Sequence, residues 1–250
     1  WLFVGDAVTS IFFGLTALWF LPHGSVTAKD RTGWPVALRH IFSNHAFLAL
    51  AAAQIFLAFN FRQITTSFPL HLVRSGHDLD FYGYVQMING IMVCALELAL
   101  LTLTRGGSTR VFLALGYVVL GASYLLFFFG TGAWVFISVM FVFTLGEMFA
   151  FSRQPAYLSI LSHDEMRGRY HGFLSLTWCI GSSSSAVLGL RLYGWKPEAA
   201  WVLCAMFGIM AAACVLGRKP RMDANGHETF CACGSALDCQ NAEKPAFEWR

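Results

Sequence analysis

The sequence has 250 residues, of which 56% are hydrophobic and only 12% charged, where an ordinary soluble domain carries about 25% charge. Aromatic residues make up 16%, with 24 Phe, a composition that suits a lipid-facing surface and excludes a conventional soluble domain. A net charge of +3, on basic residues that form no stripe, gives no footprint for nucleic acid.

Seven apolar spans are predicted, each near the roughly 20 residues that a bilayer requires. They cover residues 1–22, 46–73, 81–104, 111–129, 133–161, 170–193 and 199–216. The chain opens on Trp1, already inside WLFVGDAVTSIFFGLTALWFLP, with no basic n-region and no small-residue cleavage site. That pattern is not a signal peptide, and a fragment lacking its upstream part is expected. The first span carries one acid, Asp6, and a polar link, residues 23–45, follows it.

In the second span Asn60, Gln63 and Ser67 fall at i, i+3 and i+7, one helical face, with Arg62 beside it. Two readings stand: the polar wall of a substrate path, or an arginine that snorkels or makes a structural pair. Pro69 is expected to kink the far end of this helix. In the third span Tyr82, Gln86, Asn89 and Glu97 share a stripe on an otherwise apolar helix. A lined cavity is the expectation, with hydrogen bonding between helices as the alternative.

The fifth span places Thr144, Glu147 and Gln154 on one face, with Glu147 the lone acid about midway. An ionisable residue inside a membrane span is costly, and it marks an ion or substrate pathway by default. Glu147 is therefore the first candidate to carry a coupling proton, with Glu97 the second; the alternative for Glu147 is an ion pair with Arg62 or Arg153. Arg153 lies nearer the inner end of the span and is expected to anchor rather than bind.

The sixth span follows the compact RGRYHG loop. Its Gly181, Ser182, Ser183, Ser184, Ser185 and Gly189 form a small surface for close helix packing, or a moving interface. The seventh span contains no lysine, against a retinal protein. The remaining 217–250 segment is polar and is expected to be disordered. Its Cys231, Cys233 and Cys239 lack the paired spacing of zinc modules, so no metal is expected. Cys94, Cys179, Cys204 and Cys214 lie inside spans and imply no disulfide framework.

Orientation follows from the basic residues. A cytoplasmic first link puts Lys29, Arg31, Arg39, Arg105, Arg110, Arg167, Arg169, Arg218, Lys219 and Arg221 inside and only Arg74, Arg191 and Lys196 outside. The C-terminus is then cytoplasmic. No enzyme is indicated: H-E-x-x-H is absent and no histidine occupies the middle of a span, His71 being near an outer end. No cofactor is expected either.

Three stretches carry a family likeness. DFYGYVQMINGIMVCALELAL, GEMFAFSRQPAYLSILSHDEMRGRYHG and the inner loop TRGGSTR together resemble the C-terminal half of a major facilitator superfamily transporter, with the preceding helix attached. The first two are similar to the multidrug-efflux branch. In the third, Arg105 and Gly107 match the first Arg and second Gly of G-x-x-x-D-R-x-G-R-K, while Leu100, Thr104, Ser108 and Thr109 depart from it.

The resemblance implies an all-α membrane protein whose seven helices correspond to helices 6–12 of a twelve-helix bundle. Residues 1–22 would be the sixth helix, 23–45 the cytoplasmic inter-half linker, 46–216 the C-terminal six-helix bundle and 217–250 a cytoplasmic tail. It further implies proton-coupled export of amphipathic small molecules across the plasma membrane by alternating access. The partners would be the lipid bilayer, the small-molecule substrate, protons and the N-terminal half of the same transporter. Substrate-cavity candidates are Asn60, Arg62, Gln63, Tyr82, Gln86, Asn89 and Gln154. Arg105, Gly107, Arg167, Gly168 and Tyr170 are the conformational-loop candidates. The competing reading is a seven-helix receptor-like or non-transport membrane protein.

Overall fold

The computed structural model describes residues 2–20, 34–104, 106–162 and 166–217. The 217–250 tail (save Gly217), Arg105 and residues 23–33 of the 23–45 link therefore lie outside the described residues. All regular structure among the described residues is helical. The chain divides into two units, Trp1–Gly33 and Trp34–Arg250. The first unit holds α1, Leu2–Phe20, whose apolar stretch is Ala7–Phe20. Thr9 and Thr16 return their hydroxyls to the carbonyls of Gly5 and Phe12, so neither leaves a polar group exposed to hydrocarbon.

The second unit is a helical bundle in which six segments are long and apolar enough to cross a membrane. It opens with α2, Trp34–Ser43, a short helix inside what the sequence suggested was only a polar link. Its Ala37 and Ile41, four residues apart, are buried, and this one-sided burial is what orders the segment. Helix α3, His45–Gln63, runs into α4, Ser67–Arg74, to form the first crossing segment. The others are α5, Leu79–Leu103; α6, Thr109–Ser123, prolonged by a 3₁₀ segment, Tyr124–Phe129; α7, Ala133–Leu161; α8, Arg167–Ser184, continued through a π-helical stretch into α9, Leu190–Trp195; and α10, Pro197–Gly217.

The expected kink near Pro69 is a break, and it lies before the proline. Ile64, Thr65 and Thr66 bond three residues back, to Phe61, Arg62 and Gln63, rather than four. Proline has no N–H and clashes with the carbonyl four residues earlier, here Thr65, so the ladder fails there. Hydroxyls add to the carbonyls at the break: Thr65 and Thr66 both donate to the Arg62 carbonyl, and Tyr82 of α5 donates to that of Ile64.

The packing core is α6, held between α7 and α10 by backbone approach. A Cβ on Gly116 would stand 2.6 Å from the Ala150 nitrogen, and one on Gly146 2.5 Å from that of Leu120. On its other side Gly121 and Gly208 exclude any Cβ from one another in the same way. With no hydrophobic drive between helices in lipid, such close contact supplies the dispersion energy of association.

One end of the bundle is closed by side chains that satisfy helix termini. Asn44 accepts from the Phe47 amide at the start of α3 and donates to the Leu161 carbonyl at the end of α7. Arg110 donates to the last carbonyls of α10, at Val215 and Leu216. Arg153 donates to the carbonyl of Thr104 just after α5, and also to its hydroxyl. Cations at helix C-termini complement the macrodipole and the four orphan carbonyls there. The opposite end is an aromatic cluster: His71, bonded to Tyr193 at 2.9 Å, lies among Phe127, Phe136 and Trp201.

Candidate functional site

The polar stripe of α5 and the polar face of α7 meet. Asn89 donates from Nδ2 to Glu147 Oε2 at 2.6 Å and to Thr144 Oγ1 at 3.0 Å. Thr144 is buried and passes its own proton to the Met140 carbonyl, leaving its oxygen as an acceptor for Asn89. Glu147 is half-buried, as is Glu97, which stands eight residues beyond Asn89 on the same helix. The result is one acid held at mid-helix by an amide of the facing helix, with a second acid farther along. A carboxyl so placed can exchange a proton without disturbing the backbone.

The second polar group is organised differently. Asn60 and Gln63 are buried and bridge helices. Asn60 donates from Nδ2 to the Cys204 carbonyl of α10 at 3.0 Å, while its backbone carbonyl accepts from the Tyr124 hydroxyl. Gln63 donates to Ser185 at 2.9 Å and accepts from Ser67 at 2.5 Å, and Ser185 passes its proton to the Phe59 carbonyl. Ser185 opens the π-helical stretch, Ser185–Gly189, so the helix irregularity lies against the Gln63 side chain. Of the small patch, Gly181 and Ser185 are buried and Ser183 is exposed.

The other expected residues scatter. Arg62 is exposed, and Gln86 is half-buried with its Oε1 unpaired. Arg153, about two turns before the end of α7, lies over the Phe112 ring and on Thr104 rather than on Glu147. Among the loop residues, Gly107 leaves room for the Phe112 ring, Arg167 and Gly168 begin α8 on its exposed side, and Tyr170 is buried edge-on against Phe47 at 4.5 Å. Gln154 does not join Glu147. It lines a separate cavity of about 290 Å³ between α3, α7 and α8, with Gln54, Phe151 and Trp178.

That cavity was not anticipated. Its aromatic wall extends from Phe61, which packs on Phe151 at 5.3 Å and on Trp178 at 5.5 Å. A signal was present in the sequence: Gln54 and Phe61 are seven apart, and His171, Ser175 and Trp178 fall at i, i+4 and i+7, each a single helical face.

Two relatives and one family bear on these features. The chain is 23% identical over 186 residues to an uncharacterized MFS-type transporter, YqjV, of Bacillus subtilis (strain 168), covering 68% of this chain and 44% of that protein. It is 26% identical over 206 residues to a Na(+), Li(+), K(+)/H(+) antiporter of Planococcus maritimus, covering 70% of this chain and 48% of that protein. The chain thus spans about half the length of the curated relatives it matches. The family model described as Major Facilitator Superfamily matches residues 1–186. With that match over most of its length and its long apolar helices, the chain is an all-α, multi-pass membrane protein and belongs to the major facilitator superfamily.

Proposed function

We propose that the protein is a secondary active transporter of the plasma membrane that exports amphipathic small molecules in exchange for protons by alternating access. In this reading α1 and the six crossing segments correspond to helices 6–12 of a twelve-helix carrier. The 23–45 segment links its two halves on the cytoplasmic side, and the C-terminus is cytoplasmic. The observation that carries the reading is the contact of Asn89 with Glu147 and Thr144. A lone carboxyl at mid-span, held by the amide of a facing helix, is the arrangement a proton relay needs. Glu147 takes the proton on one side and releases it on the other, and Glu97 serves as the neighbouring relay group. Substrate enters where Arg62, Tyr82, Gln86 and Gln154 stand, while Asn60 and Gln63 brace the wall behind. The turn before α6, with Arg105 and Gly107, and the first turn of α8, with Arg167, Gly168 and Tyr170, change contacts as the halves rock.

The test is Glu147→Gln in the full-length protein, reconstituted in vesicles with an imposed pH gradient. Transport of a fluorescent amphipathic probe should be lost while probe binding persists. Undiminished gradient-driven transport overturns the role of Glu147.

A second reading is favoured by the Planococcus maritimus relative, a Na(+), Li(+), K(+)/H(+) antiporter. The oxygens of Glu147, Thr144 and Asn89 are hard donors of the kind an alkali cation accepts. Sodium-driven quenching of an internal pH dye in the same vesicles, with no movement of the amphipathic probe, would replace the first reading by this one.

A further inference from the structure

The cavity between α3, α7 and α8 has a lining from which the class of its occupant follows. None of its eight lining residues is Asp, Glu, Lys or Arg. A fully charged group would find no counter-ion among these side chains. His171, exposed at the start of α8, is the one titratable imidazole present. Two walls are aromatic: Phe151 and Trp178 stand 5.7 Å apart at 67°, so a flat ring lying on one meets the other edge-on.

The polar part is two amides. Gln54 is 5% exposed, and the carbonyl oxygens of both Gln54 and Gln154 lack a hydrogen-bond partner. A buried acceptor left unpaired is costly and is a feature that calls for a partner. The terminal torsion of a glutamine is broad, so either side chain turns its oxygen to the cavity at little cost. Pro155 adds to this local surplus of acceptors, because it has no N–H to offer the Phe151 carbonyl four residues earlier. The volume, about 290 Å³, is at the small end of ligand pockets.

We infer that this cavity receives the recognised moiety of the transported molecule, an uncharged planar aromatic group of about two fused rings that donates N–H or O–H hydrogen bonds to Gln54 and Gln154. The inference rests on the transport reading and narrows its substrate class. It makes the cavity selective for donors rather than for positive charge.

Cys179, exposed on the cavity wall, reports occupancy directly. The experiment measures alkylation of Cys179 by N-ethylmaleimide in the wild-type full-length protein, resolved by peptide mass spectrometry, with Cys94 as the exposed control. Three probes are compared: 2-quinolinone, a neutral lactam with an N–H; its N-methyl derivative, of the same shape without the donor; and tetraphenylphosphonium, a cation with no donor. The expected result is protection of Cys179, not Cys94, by 2-quinolinone, with the methylated probe needing about tenfold more. The probe has a single N–H, so the difference should be lost in Gln54→Leu or in Gln154→Leu, whichever removes its acceptor, and a difference kept in both overturns the donor-selective class. Gln154→Leu, at a half-buried position, keeps the test open if Gln54→Leu does not fold. Equal protection by the two quinolinones, or stronger protection by tetraphenylphosphonium, overturns the donor-selective class. No protection by any probe overturns the site. Because the readout is binding without a gradient, this outcome is independent of Glu147, and a failure here leaves the transport test untouched.

Discussion

At the level of single residues, Asn89 is the side chain on which the proposed chemistry turns. It reaches Glu147 and Thr144 with one amide nitrogen, so it fixes the carboxyl and ties α5 to α7 at once. Removing it leaves the carboxyl without its donor inside the bundle. Asn89→Leu in the full-length protein is expected to lower gradient-driven transport about tenfold or more, the scale of a lost hydrogen bond to a charged group. Asn89→Gln, which keeps the amide on a longer stem, should recover part of it. Vesicle transport rates for the two variants check this, and equal losses would show that the amide itself is not what matters. Glu147 and Asn89 were both visible in the sequence as polar residues on apolar spans. Gln54 was marked only by its seven-residue spacing from Phe61, since a single amide within AAAQIFLAF breaks no hydropathy pattern until Trp178 and Phe151 are known to face it.

At the level of elements, two devices hold the bundle: glycine contacts and buried polar struts. The pairs Gly116–Gly146 and Gly121–Gly208 let α6 lie directly on α7 and α10. Any side chain there meets backbone, which cannot yield as a flexible side chain can. Gly146→Leu and Gly208→Leu are each expected to destabilise by about 1–3 kcal/mol or more. Gly90→Leu, with nothing within 4 Å of its added Cβ, should be nearly neutral. Thermal unfolding of the purified variants in one detergent checks the ranking. The strut from Ser67 through Gln63 to Ser185 crosses from the break after α3 to the π-helical stretch after α8. Gln63→Leu strands the Ser67 hydroxyl and removes the donor to Ser185, which keeps its own bond to the Phe59 carbonyl, and a loss of roughly 1–3 kcal/mol is expected in the same assay. The sequence marked these positions as small or polar without distinguishing struts from a cavity wall. Both uses place a polar residue on one helical face, and only the neighbour differs.

On the scale of the whole molecule, the helix termini sort by chemistry. The end that contains Arg110 and Arg153 has its C-terminal carbonyls capped by cationic side chains, and in the proposed orientation that end is cytoplasmic. Ser108→Cys, in the turn before α6, is therefore expected to react with a membrane-impermeant maleimide only after cells are opened. Thr131→Cys, in the turn before α7, should react in intact cells. The reverse pattern would invert the proposed orientation. The cavity of α3, α7 and α8 is open on one side in this chain. The 250-residue chain reconstituted alone is accordingly expected to bind the lactam probe weakly and to show no gradient-driven transport.

Composition and hydropathy by themselves determined that this chain lies in a membrane, where its apolar segments run, and where its ionisable residues interrupt them, although the first of the seven predicted spans is a shorter apolar helix and six are long enough to cross. These are one-dimensional facts, set by the length of apolar stretches and the cost of charge in hydrocarbon. Which face of each helix turns inward was decided only by the tertiary structure. In a water-soluble helix the polar face marks the outside, but here lipid tails are as apolar as the core, so periodicity cannot separate the two. The pairing of Asn89 with Glu147, the separation of Gln154 from that pair, and the glycine contacts of α6 all depend on which helix lies opposite. That choice is made by close packing between helices, a three-dimensional fit that no spacing along the chain records.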